Sequence, residues 1–193
     1  MGSNARIPPL PVADWTNAAH EAVAMLGWTP VTPAGGPKSN LFMTMVNHPQ
    51  LTKAFFAFGG HLLVHSTLPP RLREIVTLRV AWRYKAEYEW YQHVSMGKRI
   101  GLTDEEIEAT KQDIEAGIWS EADRCVLRVA DQLCEQSKID DATWGALNQF
   151  LGRREIMDLV FTIGNYVMLA WALTAFGIEV EPENRSSEHV LAY

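Results

Sequence analysis

The sequence has few cysteines, and they are not arranged as in thiol redox enzymes. Of the 193 residues, only Cys125 and Cys134 are cysteines. Their nine-position spacing within one helix would separate them by about 13 Å along the axis. They therefore cannot bridge each other in that helix, and neither belongs to a C-x-x-C motif. We interpret both as buried, unreactive thiols.

Other absences narrow the class of protein. The net charge of -6 arises from interspersed acids and bases, without the basic patch that binds nucleic acid or an anionic membrane. No apolar run approaches the roughly 20 residues that cross a bilayer. Residues 1–11 contain no apolar core of a signal peptide. These features predict a soluble, cytoplasmic protein without a nucleic-acid or membrane partner.

The positions of Gly and Pro and the spacing of apolar residues predict helices and no sheet. Gly and Pro fall between segments whose apolar residues recur at helical spacing. Alternating apolar residues and Asn-Gly or Asp-Gly hairpin signals are nearly absent. We predict an all-α bundle of about 7–9 helices. It is divided into an N-terminal helix and loop (1–39), a helical domain (40–178) and a polar tail (179–193).

The predicted helices can be placed from their start and stop signals. Thr103 with Glu106, and Ser120 with Asp123, have the spacing of helix-opening caps, and Gly101 is suited to end a helix. We expect the tail to extend from the domain or to lie on a neighbouring subunit. The predicted segments are helices at 14–26, 41–46, 50–65, 71–83, 86–100, 121–137, 142–151 and 153–178, a further helix after Thr103, and a loop at 28–38.

Glu89 and His93 are the first candidates for chemistry. They are four positions apart, a spacing that puts both on one helix face, where the carboxylate can orient the imidazole and raise its basicity. Such a pair can act as an acid and a base. A surface pair beside packed Tyr88 and Trp90 is the alternative.

A longer motif carries a family resemblance. The run Leu68-Pro69-Pro70-Arg71-Leu72-Arg73-Glu74-Ile75-Val76-Thr77-Leu78-Arg79-Val80 is followed by Tyr88-Glu89-Trp90 and His93, and then by Gly101-Leu102-Thr103. Together these resemble the signature of the carboxymuconolactone decarboxylase family, which includes alkylhydroperoxidase D (AhpD). The resemblance implies an AhpD-like helical bundle that assembles as a homo-oligomer, a trimer or a hexamer.

The resemblance also assigns catalytic positions. Glu74 and His93 fall on the family's Glu and His, whereas the two cysteine positions hold Ala86 and Glu89. Without those thiols, peroxidase activity should be absent. In the decarboxylase branch a Glu lies four positions before the His, as Glu89 does here. The resemblance therefore implies acid–base catalysis by Glu74, Glu89 and His93.

A shared site for these residues requires a turn in the chain. In one straight helix Glu74 and Glu89 would lie about 22 Å apart, too far to contact one small substrate. We predict a break at Tyr84-Lys85-Ala86, although no Gly or Pro marks it. Alternatively, Glu74 joins the site from another subunit.

The reaction that these expectations favour is decarboxylation of a small carboxylated lactone or related cyclic acid, without a cofactor. Its dienolate product must be stabilised and protonated. His93 would supply the proton, Glu89 would hold the imidazole tautomer and Glu74 would relay protons. Arg73 or Arg79 would neutralise a substrate carboxylate, although structural ion pairs are an alternative.

Further side chains are candidates for binding the small-molecule substrate. Tyr88, Trp90 and Tyr166 are aromatic candidates, and the resemblance places Asn165 and Tyr166 near the pocket or a subunit contact. His61 and His65 share a helix face, but no third ligand is apparent, so we predict no metal site. Two other functions stay open, namely a non-catalytic small-molecule-binding or scaffold protein and a residual peroxide-related antioxidant.

Overall fold

The computed structural model describes residues 5–24, 39–115, 117–185 and 189–191. Within this part of the chain there are nine α-helices and no strand, which confirms the predicted all-α class. The helices are α1 (Asn17–Ala24), α2 (Asn40–Met45), α3 (Pro49–Gly60), α4 (Pro70–Arg83), α5 (Glu87–Arg99), α6 (Asp104–Ala109), α7 (Glu121–Gln136), α8 (Asp141–Phe150) and α9 (Arg153–Phe176).

Local signals in the sequence account for several helix ends. Gly101 lies two residues after the end of α5. Its φ of 94° is a conformation that glycine adopts without steric cost. Thr103 with Glu106 and Ser120 with Asp123 form reciprocal capping boxes at the starts of α6 and α7. Each box satisfies two amide donors that the helix itself leaves unpaired.

Two predicted helices differ from the structure. Residues Val12–Asp14 form a short 3-10 turn, so that the first α-helix begins at Asn17. The predicted helix at 50–65 divides into α3 and a π-helical turn over His61–His65. The last two residues of the first predicted helix and the predicted loop at 28–38 lie outside the described residues.

The chain divides into two compact units, the first made of residues 1–65 and 172–185 and the second of residues 66–171 and 186–193. In unit 1, Trp15, Ala19, Val23 and Val46 form a buried apolar cluster. The Asn40 amide at the start of α2 donates to Glu181 Oε1 at 2.6 Å.

Helix α4 is the most deeply buried described element of unit 2. Every residue from Glu74 to Ala81 is buried, and α4 packs against α5 and α7. A helix that is buried nearly all around carries its polar side chains into the interior, where they need partners. This burial places Glu74 and Arg79 inside the unit.

The described end of the tail, residues 189–191, packs on its own chain; contact of the tail with a neighbouring subunit stays a prediction. His189 is buried, and its ring nitrogens lie 2.9 Å from Glu108 Oε1 and 2.9 Å from Asp104 Oδ1. The Trp90 indole N–H donates to the His189 carbonyl at 2.9 Å. These contacts join the tail to helices α5 and α6 within unit 2.

Helix α9 qualifies the expectation that no segment could cross a bilayer. Over its 24 residues it contains a window of mean hydropathy 1.6, long and apolar enough for a membrane span by length and composition alone. The core helix of a soluble protein passes the same test, and α9 places buried Thr162 and Asn165 in the interior. The cytoplasmic location stays a prediction.

Candidate active site

A tight turn brings the two halves of the predicted site together. Helix α4 ends at Arg83 and α5 begins at Glu87. Between them Lys85 has a positive φ of 56°, and the Ala86 amide donates to the Ala81 carbonyl at 2.9 Å. The predicted break therefore exists, and it comes from a non-glycine residue in the left-handed region. It allows Glu74 to join the site from the same chain.

Glu74 and His93 form a buried hydrogen-bonded pair. Glu74 Oε2 lies 2.7 Å from His93 Nδ1, and the Glu74 side chain has 0% exposure. The other carboxylate oxygen accepts a hydrogen bond from Arg73 Nε at 3.0 Å. Both oxygens of Glu74 are thus engaged by groups that favour its charged form.

This pair changes the role expected for Glu89. We expected Glu89 to orient the imidazole, but Glu74 is the carboxylate that contacts His93. Because a carboxylate can only accept, the proton on His93 Nδ1 points to Glu74, and Nε2 is left as the nitrogen that can exchange a proton. Glu74 therefore has the tautomer-holding role that had been assigned to Glu89.

Glu89 is buried without a protein partner. Its exposed fraction is 2%, and neither carboxyl oxygen makes a hydrogen bond with any described residue. Burial raises the pKa of Glu89 well above its ordinary value, because the interior solvates a carboxylate far less well than water does. Burial therefore favours the neutral acid form of Glu89, which is the form that can donate a proton.

The pKa values of Glu74 and Glu89 are shifted in opposite directions. Burial by itself would raise the pKa of Glu74, but the charge and hydrogen bond of His93, together with Arg73, outweigh it and hold that pKa below the ordinary value. Glu89 has no such neighbours. Two carboxyl groups with opposed pKa shifts are the pattern by which enzymes separate an ionised group from a proton donor.

The ring of Tyr166 packs against the imidazole of His93. Its ring meets the ring of His93 edge to face, with 4.7 Å between centroids, a favoured geometry for aromatic pairs. Burial, with added repulsion from the charge of Glu74, raises the pKa of the Tyr166 phenol. The phenol is therefore neutral and can donate a hydrogen bond.

The two candidate arginines have different surroundings. Arg79 donates from Nε and Nη2 to the Asp131 carboxylate, each at 2.8 Å, and from Nη1 to the carbonyls of Thr110 and Gln112. Because these contacts occupy all three guanidinium nitrogens, the expected role in binding a substrate carboxylate does not fit Arg79. We correct it to the structural alternative.

Arg73 remains available for that role. Its side chain is 13% exposed, and Nε is the atom that pairs with Glu74. Its two terminal nitrogens make no hydrogen bond with any residue that the structure describes. They can therefore face an anionic group.

The remaining candidates fall into two groups. Tyr88 and Trp90 are buried on α5, but the Trp90 indole N–H is used by the His189 carbonyl and its ring lies under Lys111 Nζ at 5.3 Å. This corrects Trp90 to a structural side chain, while Tyr88 stays a prediction.

His61 and His65 both lie on the exposed π-helical turn of unit 1. Their role in substrate binding stays a prediction. Among the described residues no cluster of three or more His, Cys, Asp or Glu side chains could hold a metal.

The prediction that both thiols are buried is confirmed for Cys125 but only partly met at Cys134. Cys125 is buried and Cys134 half-buried, and both are free. Burial raises the pKa of each thiol, only partly opposed at Cys134 by Arg83. Neither belongs to the Glu74 and His93 pair.

Sequence reasoning overlooked Thr162. It is buried on α9 at 0% exposure, and its hydroxyl makes no hydrogen bond with a described residue. The one available signal was a threonine one helical turn before Tyr166, within an otherwise apolar stretch. The same lack of a partner applies to Asn165 Oδ1.

Solved structures define the class of fold. A peroxidase-related protein from Silicibacter sp. TM1040 is similar with a TM-score of 0.78 at 16% identity, over 98% of this chain and 100% of that one. The AhpD core of a peroxidase-related protein from Ralstonia eutropha JMP134 gives 0.75 at 16% identity, over 92% and 94%. The debrominase Bmp8 gives 0.73 at 16% identity, over 94% and 95%. The fold is thus that of AhpD-like, peroxidase-related proteins.

One segment of the sequence matches a family model. Residues 49–132 match the model of the carboxymuconolactone decarboxylase family, and this segment includes α4, the turn at Lys85, and α5. The match therefore includes the whole segment, Leu68 to Thr103, on which the resemblance rests. A search among curated proteins finds no match.

Proposed function

We propose that this protein is a cofactor-independent enzyme that moves protons to and from a small cyclic acid or lactone. The observation that carries the proposal is the 2.7 Å contact of buried Glu74 with His93, together with a second buried carboxyl group, Glu89, that has no partner among the described residues. Burial raises the pKa of Glu89, whereas the His93 contact outweighs burial and lowers the pKa of Glu74. Opposed shifts of this kind suit acid–base catalysis.

Decarboxylation is the first reaction to test. When the bond to the departing carboxylate breaks, its electron pair enters the conjugated carbonyl system and forms an enolate. Glu89 donates its proton to the enolate oxygen and forms an enol. Protonated His93 then delivers a proton from Nε2 to carbon, and the enol oxygen returns its proton to Glu89 as the carbonyl forms again. Solvent reprotonates His93, so the step consumes one proton and needs no oxidant or reductant.

Arg73 and Glu74 would support that step. The terminal nitrogens of Arg73 would bind a retained substrate carboxylate by a bidentate contact, while its Nε keeps Glu74 in place. Glu74 would stabilise the imidazolium form of His93 through the 2.7 Å contact. Glu74 is thus a positioning residue, and Glu89 and His93 are the catalytic residues of the proposal.

Deuterium exchange offers a test that does not depend on knowing the leaving group. Small cyclic β-keto acids, enol lactones and unsaturated lactone acids would be incubated with the protein in D2O. NMR would record deuterium entering the carbon next to the carbonyl, and carbon dioxide release would be followed in parallel. We expect wild type to catalyse exchange and Glu89→Gln or His93→Ala to lose about 100-fold or more.

The controls use matched residues outside the site. Glu87 is an exposed glutamate on the same helix as Glu89, and His20 is an exposed histidine of unit 1. Glu87→Gln and His20→Ala should retain wild-type rates. Equal rates for wild type, Glu89→Gln and His93→Ala across the panel would overturn the proposed function. Binding without turnover, unchanged by His93→Ala, would favour a non-catalytic binding protein.

A further inference from the structure

Most of the unpartnered polar atoms inside the described part of the chain belong to three residues. Six buried side-chain atoms lack a hydrogen-bond partner, and four of them are the two oxygens of Glu89, the hydroxyl of Thr162 and the amide oxygen of Asn165. Buried polar groups in proteins are nearly always satisfied, so such a concentration calls for a functional reason.

Helix geometry relates Thr162 and Asn165 to the candidate active site. With about 3.6 residues per turn, Thr162 lies one turn before Tyr166 and about 40° from it around the axis, and Asn165 about 100° from it. Tyr166 itself touches the His93 ring at 4.7 Å between centroids. Thr162 and Tyr166 therefore face the same way, with Asn165 at the edge of that face.

The Thr162 hydroxyl does not make the hydrogen bond to the helix backbone that a buried helical threonine usually makes. A threonine in a helix can donate to the carbonyl four residues earlier, as Thr77 does to Arg73 at 2.8 Å and Thr52 does to His48 at 2.9 Å. Thr162 is equally buried and makes no such bond. Its hydroxyl is left free to bind another group.

We propose that Thr162 and Asn165 form a recognition site for a hydroxyl or enol group on the substrate of the neighbouring proton-transfer residues. The inference rests on the proposed function and names its substrate class more narrowly. Asn165 Oδ1 is an acceptor, and the Thr162 oxygen can both accept and donate. Such a pair selects a small cyclic acid that carries an O–H group over the same acid without it, because the second would leave both atoms unpaired.

Equilibrium binding tests this selection without requiring turnover. Calorimetry would compare benzoate with 2-, 3- and 4-hydroxybenzoate as probes. We expect wild type to bind at least one hydroxybenzoate about tenfold or more tightly than benzoate. In Thr162→Val and Asn165→Leu the preference should fall to within about twofold, while Thr162→Ser should retain it because the hydroxyl remains.

Thr44→Val is the matched control. Thr44 is a buried threonine of unit 1 whose hydroxyl also lacks a partner among the described residues. Removing an unpaired buried hydroxyl should leave the melting temperature unchanged or higher in Thr44→Val and Thr162→Val alike. Only Thr162→Val should change the binding preference.

The outcomes separate this inference from the proposed function. His93→Ala should abolish proton exchange yet retain the hydroxyl preference, so a wild type that shows the preference without exchange contradicts only the proposed function. The inference is overturned if wild type prefers no hydroxybenzoate over benzoate or binds none of the four. It is also overturned if Thr162→Val and Asn165→Leu keep the preference while lowering the melting temperature, as purely structural residues would.

Discussion

The carboxylate of Glu74 holds the imidazole of His93 at 2.7 Å, although the two residues are 19 positions apart in the chain. The contact exists because Lys85 reverses the chain between α4 and α5. It leaves Glu89, one helical turn before His93, with both oxygens unpaired among the described residues. The site thus contains one carboxyl group that is oriented and held towards its charged form, and another whose burial favours the neutral form.

Replacing Glu74 should lower both activity and stability. Glu74→Gln removes the charge that stabilises the imidazolium, so we expect kcat/KM to fall by about 10- to 100-fold. Because breaking a buried ion pair leaves its partner charge uncompensated, we also expect a loss of up to about 3–5 kcal/mol in the free energy of unfolding. Urea denaturation measures the second effect. A variant as stable as wild type contradicts it.

The pH dependence of that stability has a definite sign. The pKa of Glu74 is lower in the folded protein than its ordinary value of 4.5, so its stabilising contribution is fully present above that value and is lost as the pH falls through the folded pKa. The gap in melting temperature between wild type and Glu74→Gln should narrow as the solution is acidified. A gap that widens on acidification excludes this assignment.

Glu89 should show the opposite dependence. Its raised pKa means that the folded state binds a proton more tightly than the unfolded state, so stability falls as the pH rises from about 4.5 towards the folded pKa. Glu89→Gln should therefore melt close to wild type in acid and above it at neutral pH. Each kcal/mol corresponds to about 2–4 °C. Glu87→Gln should show no such trend.

Substitutions of Arg73 and Arg79 should have different effects on stability and on substrate binding. Arg79→Met removes contacts to Asp131 and two carbonyls, and should lower the melting temperature by on the order of 10 °C. Arg73→Gln should mainly raise KM for substrates with a retained carboxylate. If Arg79→Met left stability unchanged and raised KM, the structural role of Arg79 would be wrong.

The homo-oligomer implied by the family resemblance stays a prediction. On α9 the side chains of Met157, Phe161, Met168 and Trp171 are exposed. Together with Gly164 these positions follow an alternating four-and-three spacing, the pattern of a helix–helix seam, which suits packing against a second copy of the chain. Light scattering should show a smaller assembly for Met168→Glu. The control is Leu51→Glu, which changes an exposed leucine on α3 and should leave the wild-type mass. A monomeric wild type contradicts the prediction.

The sequence predicts those features of the fold that depend on residues close together in the chain. The capping boxes at Thr103 and Ser120 and the glycine at position 101 are readable because each involves residues within one turn. The turn at Lys85 was predicted only from the distance that a straight helix would impose. No propensity marks it, since a lysine with positive φ is held there by its surroundings.

The contacts of the site were not readable in the same way. Glu89 has the helical spacing to reach His93, but Glu74 makes the contact from another helix. Arg79 looks like Arg73 in the sequence, and only Asp131, 52 positions away, shows that it is structural. Partners so far apart in the chain are set by packing, which periodicity does not report.

The opposed ionisation of Glu74 and Glu89 can be measured directly by NMR. Protein labelled with 13C at the glutamate side-chain carboxyls would be titrated from about pH 3 to pH 9, with Glu74→Gln and Glu89→Gln assigning the two signals. We expect Glu74 to titrate below the usual glutamate value of about 4.3 and Glu89 well above it. A Glu89 signal that is already ionised at pH 5 would contradict the opposed ionisation of the two groups.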